Sequence, residues 1–162
     1  MAIRQSHREA VAATAQAAFE VIDDLPATKI WLDVCESLNN LDGPPNSVGD
    51  RLEYRFRQGG TTGQMEGEIM IREPGRRLVC RYDDPKFKVT VDLSVDADAS
   101  NDPQVCVVEQ ILTIEPKGWI GRLMSPLISM GLRRQSHSSS AALRQLIESR
   151  YTTTAHHRSG PS

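Results

Sequence analysis

Residues 69–95 read IMIREPGRRLVCRYDDPKFKVTVDLSV. The last run sets Phe87, Val89, Val91, Leu93 and Val95 against Lys88, Thr90, Asp92 and Ser94, an apolar–polar alternation with a period of two. Successive side chains on a strand point to opposite faces, so this run is a strand with one face in a core and the other in water. EPGR and DDPK carry the residues of tight turns, which makes the stretch two linked hairpins. If each turn is a four-residue loop, Tyr82 faces Phe87, Cys80 faces Val89, Ile71 faces Leu78 and Ile69 faces Cys80. The apolar sides then agree across three strands, as one antiparallel sheet with a single buried face requires.

The same period extends the sheet in both directions. RLEYRFRQ (51–58) puts Leu52, Tyr54 and Phe56 on one face and Arg51, Glu53, Arg55 and Arg57 on the other. The turn QGGTTG leads into GQMEGEIMIR, whose Met65, Gly67, Ile69 and Ile71 share a face opposite Glu66 and Glu68. A strand near VCESLNNL comes earlier, separated by DGPPNSVG, whose glycines and prolines exclude regular structure. VCVVEQILTIEP is the last strand, in one of two phases. One turns Val105, Val107, Glu109 and Ile111 inward; the other turns Cys106, Val108, Gln110, Leu112 and Ile114 inward. The second is preferred, because burying an amide costs less than burying a carboxylate. At the start of the chain IRQSHREAV reads as a charged strand suited to a sheet edge. A helix AQAAFEVIDDL follows, capped by Thr14 and stopped at Pro26, and then a short second helix containing Trp31.

After EPKG the period becomes helical. Ser125–Pro126 reads as a cap followed by proline at the first helical position, opening a helix over 126–149, about 36 Å long. Ile128, Leu132, Gln135, Ser139, Ala142 and Leu146 form one stripe along it, flanked by Ser136 and Leu143. The stripe is bulky at its ends and small and polar in the middle. Serine weakens a helix by competing for backbone groups, so QSHSSSAA (135–142) needs a reason. Three stay open: the small side chains leave a ligand cavity, they let helix and sheet approach closely, or they face water. His137, off the stripe and near arginines, reads as solvated. The run YTTTAHHRSGPS (151–162) has no periodic apolar content, and a disordered tail is expected from residue 150, leaving residues 1–149 as one domain.

Composition narrows the function. The 162 residues suit a single domain with a real core, and 39% hydrophobic with 25% charged residues is ordinary for a soluble globular protein. A net charge of −2, both signs interspersed, offers no basic surface for nucleic acid or an anionic membrane. The opening MAIRQSHREA has no signal-peptide core, and no stretch approaches the roughly 20 apolar residues of a membrane span. A cytoplasmic protein without integral membrane association is expected. Cys35, Cys80 and Cys106 are odd in number and widely spaced, the pattern of reduced buried thiols. No paired Cys/His spacing points to a metal, and no cofactor is expected.

Four segments resemble the START-like SRPBCC superfamily, in its polyketide cyclase/dehydrase-like branch: VAATAQAAFEVIDDL with Trp31 following, SVGDRLEYRF, IREPGRRLVCRY, and LMSPLISMGLRRQ…ALRQLIES. Together they span nearly the whole chain to about residue 149. The resemblance implies an α+β helix-grip fold: a curved antiparallel sheet of about six or seven strands wrapped on a long C-terminal helix, with two short helices after the first strand. It also implies a cavity between sheet and helix, where family members bind apolar or amphipathic small molecules such as lipids, sterols, polyketides, quinones or plant hormones. Some catalyse cyclisation or dehydration there. The matching segments are fold markers, so no catalytic residue carries over.

With that cavity, the faces above give its lining. The expected residues are Trp31, Leu52, Tyr54, Phe56, Ile69, Cys80, Tyr82, Phe87, Val89, Val91, Gln110 and Leu112, with Ile128, Leu132, Gln135, Ser136, Ser139 and Leu143 from the helix. Tyr54 and Tyr82 address either a ligand or the backbone with their hydroxyls. Trp31 walls the mouth or packs the core; Gln110 is a polar anchor or a structural hydrogen-bonding group. Cys80 reads as an inert small hydrophobe, and Glu66 and Glu68 as a solvated ladder near Arg81. DGPPNSVG and QGGTTG are expected to flank the entrance. The leading expectation is a carrier or sensor of a hydrophobic small molecule. One alternative is a cyclase or dehydratase-type enzyme using Tyr54, Tyr82 or an inward Glu109 with a raised pKa. The other is a protein-interaction module.

Overall fold

The alternating segments form seven antiparallel strands of one sheet, described in a computed structural model that covers residues 2–159, without the side chains of 120–136. In chain order the elements are β1 (Ile3–Val11), α1 (Ala15–Asp23), a 3-10 turn (Leu25–Ala27), α2 (Thr28–Trp31), β2 (Cys35–Asn40), β3 (Arg51–Gln58), β4 (Thr61–Glu73), β5 (Arg77–Asp83), β6 (Phe87–Asp96), β7 (Cys106–Pro116) and α3 (Gly118–Arg158). The sheet order is β1-β7-β6-β5-β4-β3-β2. The first strand therefore pairs with the last, and the charged β1 lies at an edge. Thr14 caps α1 by accepting a hydrogen bond from the Ala17 N–H at 3.2 Å, and α1 buries Phe19 and Ile22. This is the helix-grip arrangement.

The hairpin registers depart from the expected ones in an instructive way. Tyr82 faces Val89 and Cys80 faces Val91, two residues further along than a four-residue loop gives. Asp84 and Phe87 exchange backbone hydrogen bonds, so only Pro85 and Lys86 form the loop. A slip of two keeps every side chain on its face, which is why the apolar sides agree in either register. On β4, Ile69 faces Cys80 as expected, but a bulge follows, so Ile71 lies opposite Val79 and Arg72 opposite Leu78. On β7 the Cys106, Val108, Gln110, Leu112, Ile114 phase faces inward, with Gln110 buried and Glu109 on the outer face.

The C-terminal helix is longer than expected at both ends. It begins at Gly118 and continues through position 126, because a proline within a helix costs a hydrogen bond without forbidding the element. It runs to Arg158, where a disordered tail from residue 150 is expected on composition. Three threonine hydroxyls there (152–154) bond back to carbonyls four residues earlier, Arg150 meets Asp24 at 2.9 Å and Tyr151 packs against the core. The described part of α3 packs on β1, β7, α1 and α2, burying Leu143 and Ile147. Glu148 ties it to the turn after β1 by accepting the Ala12 N–H at 3.1 Å.

Candidate functional site

The inward face of the sheet is not evenly covered. On β6, Leu93 and Val95 are buried, whereas Phe87, Val89 and Val91 on the same face are only half-buried. On β3 Leu52 is fully buried, while Tyr54 and Phe56 beyond it are partly open. Leu112 on β7 is likewise half-buried between buried Gln110 and Ile114. One end of the concave face is thus a packed core. The other is an apolar surface with incomplete cover.

An aromatic ribbon floors the open end. The Tyr54 ring stacks on Phe56 with centroids 5.6 Å apart and planes 25° from parallel, and meets Tyr82 at 5.4 Å and 47°. Two glycines of β4 allow this. A Cβ built on Gly63 would lie 2.3 Å from Phe56 Cζ, and one on Gly67 would lie 2.5 Å from Tyr82 Cδ1. Phe56 and Tyr82 therefore lie against bare backbone of the neighbouring strand. Sequence reasoning placed Gly67 on the inward face and missed what it does. The legible signal is a glycine at every second inward position of β4 opposite aromatic residues of β3 and β5.

The polar groups in this region are neutral donors. Burial, reinforced by Cys35, pushes the Tyr54 hydroxyl above the ordinary tyrosine pKa; burial, reinforced by Cys80, does the same to Tyr82. Burial also raises the Cys35 thiol to about 11 and the Cys80 thiol to about 12, so both stay protonated and weakly nucleophilic at neutral pH. Trp31 is buried in the core cluster, and its indole Nε1–H has no acceptor among the described residues. No group of three or more His, Cys, Asp or Glu among the described residues is placed to hold a metal ion.

Of the other expected residues, Ile69 and Cys80 are buried on the strands that carry or flank this ribbon, and Leu143 is buried at the packed end. The side chains of Ile128, Leu132, Gln135 and Ser136 lie outside the described residues. Of the described serines, Ser138 is exposed and Ser139 and Ser140 are buried, so the buried face of α3 runs through Ser140, Leu143 and Ile147. The expected stripe through Ala142 and Leu146 sits at its margin. Ser140 Oγ donates to Gln110 Oε1 at 3.2 Å, which makes Gln110 a structural partner of the helix. Beside them a recess of about 10 Å³ lies between Glu9, Val108, Gln110, Ser140 and Leu143, room for one water at most. At Ser140 the helix and the sheet are closely packed.

The β1 edge brings in groups that the sequence reading left aside. His7 pairs with Gln110 and Glu9 with Val108, so both face inward, and the His7 and His137 rings lie 5.4 Å apart. Glu9 Oε1 is 3.8 Å from Arg144, while its buried Oε2 has no hydrogen-bond partner among the described residues. Glu109 points away, accepting from Ser6 Oγ at 3.2 Å. Glu68 and Arg81 pair on the outer face at 3.7 Å.

The loop between β2 and β3 is clamped. Asn46 donates to the Asp23 carbonyl at 2.6 Å, Asn40 donates to Asp50 at 2.7 Å, and Arg72 makes a two-pronged pair with Asp23 at 2.8 and 2.9 Å. Burial alone would push the Asp23 carboxyl up, but the hydrogen bonds from Arg72 and Asn46 outweigh it and hold it below the ordinary range.

A family model described as polyketide cyclase/dehydrase and lipid transport matches residues 3–148, nearly the whole chain. The chain belongs to that family. The aromatase/cyclase Zhui from Streptomyces sp. R1128 superposes with a TM-score of 0.74 at 14% identity, covering 93% of this chain and 96% of that one. A START superfamily protein from Mycobacterium smegmatis gives 0.64 at 17% identity, covering 93% and 98%. Truncated norcoclaurine synthase from Thalictrum flavum gives 0.64 at 17%, covering 91% and 94%. At such identities these likenesses speak for the START-like fold alone. No curated protein sequence matches the chain. Membership supports hydrophobic ligand binding or cyclase activity, and no helix among the described residues is long and apolar enough to cross a membrane.

Proposed function

We propose that the protein binds an apolar or amphipathic small molecule between the open end of the sheet and α3. One observation carries this reading: along β3, β6 and β7, hydrocarbon and aromatic side chains stay half-exposed on the very face whose other end is a sealed core. Leaving that much apolar surface uncovered forgoes roughly 25 cal/mol per Å², a cost that a bound molecule recovers. Family membership supports the same reading. The cyclase or dehydratase alternative gains only the two protonated tyrosines, since the described residues of this end supply no general base and Glu109 faces outward.

Val91→Trp tests it. Val91 is half-buried at the centre of the face, so the larger ring fills the space without displacing core residues. Binding of an apolar fluorescent dye such as Nile red should fall at least tenfold while the thermal transition stays in place. Undiminished dye binding by a folded Val91→Trp protein would overturn the proposal.

A further inference from the structure

We propose that His7 of β1 and His137 of α3 together bind one late first-row transition-metal dication, such as Zn²⁺ or Cu²⁺, which staples the edge strand to the C-terminal helix. This site is independent of what the apolar end binds.

The seam between β1 and α3 is built in rungs. On β1, His7 and Glu9 share the inward face, opposite Gln110 and Val108 of β7. On α3, His137, Arg144 and Glu148 follow one another at helical spacing along the side that meets β1. Arg144 lies 3.8 Å from Glu9, and Glu148 accepts the Ala12 N–H at 3.1 Å. Each of these two rungs joins opposite charges or a donor to an acceptor. The His7–His137 rung does neither. Its rings lie 5.4 Å apart with planes 56° from parallel, so they do not stack flat, and neither imidazole makes a hydrogen bond to a described residue. A neutral imidazole carries one nitrogen lone pair, and a shared cation makes two facing imidazoles complementary. The spacing fits one. Nitrogens bound about 2.0 Å from a tetrahedral ion place their ring centroids about 5 Å from each other. The observed 5.4 Å is close to that.

The donor set selects the ion. Imidazole suits Zn²⁺, Cu²⁺ and Ni²⁺, whereas Mg²⁺ and Ca²⁺ take oxygen ligands. No third His, Cys, Asp or Glu among the described residues completes a group with the two, so water fills the remaining positions. His137 is exposed and His7 half-buried, which leaves the ion a way in from solvent. Among the described side chains, Glu9 favours a cation, with one buried carboxylate oxygen lacking a partner, and Arg144 opposes it. Gln110, opposite His7, is neutral and accepts from Ser140. Strand and helix bring the imidazoles together only in the folded chain, so an ion held by both stabilises the fold.

The test is calorimetric titration of the full, untagged chain with ZnCl₂, CuCl₂ and MgCl₂. The parent chain carries His156→Ala/His157→Ala, which removes the exposed pair at the end of α3 as a competing site. It should bind one Zn²⁺, bind Cu²⁺ more tightly and ignore Mg²⁺. His7→Ala and His137→Ala should each weaken Zn²⁺ binding at least about tenfold, since loss of a group outside the coordination sphere already costs that much. Zn²⁺ should also raise the thermal midpoint of the parent, and either substitution should abolish that rise. His7→Gln replaces His7→Ala if the alanine variant unfolds. Absence of Zn²⁺ binding by the parent overturns the proposal, as do a Zn²⁺ affinity and thermal shift that survive both substitutions. Mg²⁺ binding as tight as Zn²⁺ overturns the assignment of the ion.

Discussion

Gly67→Ala is the sharpest test of the aromatic floor. The added methyl would sit 2.5 Å from Tyr82 Cδ1 and 3.0 Å from the Arg81 carbonyl oxygen, and Tyr82 is buried at 5% exposure. Overpacking of this kind costs about 1–3 kcal/mol. Replacing a strand glycine by alanine returns about 0.5–1 kcal/mol of backbone entropy. The net expectation is a loss of about 1–2 kcal/mol, which for a chain of this size lowers the thermal midpoint by about 2–8 °C. Gly63→Ala is the internal control. Its methyl also meets a ring, but Phe56 is half-exposed and can tilt into open space, so the net change should stay within about 1 kcal/mol. A double-mutant cycle identifies the cause: in a Tyr82→Leu background Gly67→Ala should be neutral or mildly stabilising, because the ring it strikes is gone. The assay is urea or thermal unfolding followed by circular dichroism. The reasoning is refuted if Gly67→Ala costs nothing in the wild type, or costs the same with and without the Tyr82 ring.

Other consequences are as direct. Ser140→Ala leaves buried Gln110 without its donor and should cost about 1–3 kcal/mol, whereas adding Gln110→Leu should recover much of that loss in chemical unfolding. Ile147→Ala, at a fully buried site on α3, should cost about 2–5 kcal/mol by the same assay. Asp23 has a folded pKa below its ordinary value, so its pairing with Arg72 stabilises the protein above the unfolded carboxylate pKa of about 4 and fades as pH falls through the lower folded value. Asp23→Asn should therefore lower stability at pH 7 and flatten the acid limb of the stability–pH profile.

The sequence by itself determined the sheet and its faces. Alternation along β3 to β7 is a one-residue property that survives a two-residue slip, so the inward sets of β5 and β6 came out right although their register did not, whereas the one-residue bulge on β4 turned Ile71 off the inward face and put Arg72 there instead. The preference for Gln110 over Glu109 needed only the relative cost of burying an amide and a carboxylate, and burial agrees. The Thr14 cap was equally local. The rest depended on what each residue meets across the fold. Ser140 reads as one more small residue of a serine run until Gln110 of β7 comes against it. Gly63 and Gly67 look like weak strand residues until two rings from neighbouring strands lie over them. Residues 150–158 look like a polar tail until Arg150 and Tyr151 find Asp24 and the core. Glu9 looks like edge decoration until the pairing of β1 with β7, over a hundred residues away, turns it inward. Periodicity records which way a side chain points; only tertiary contact decides what fills the space it points into.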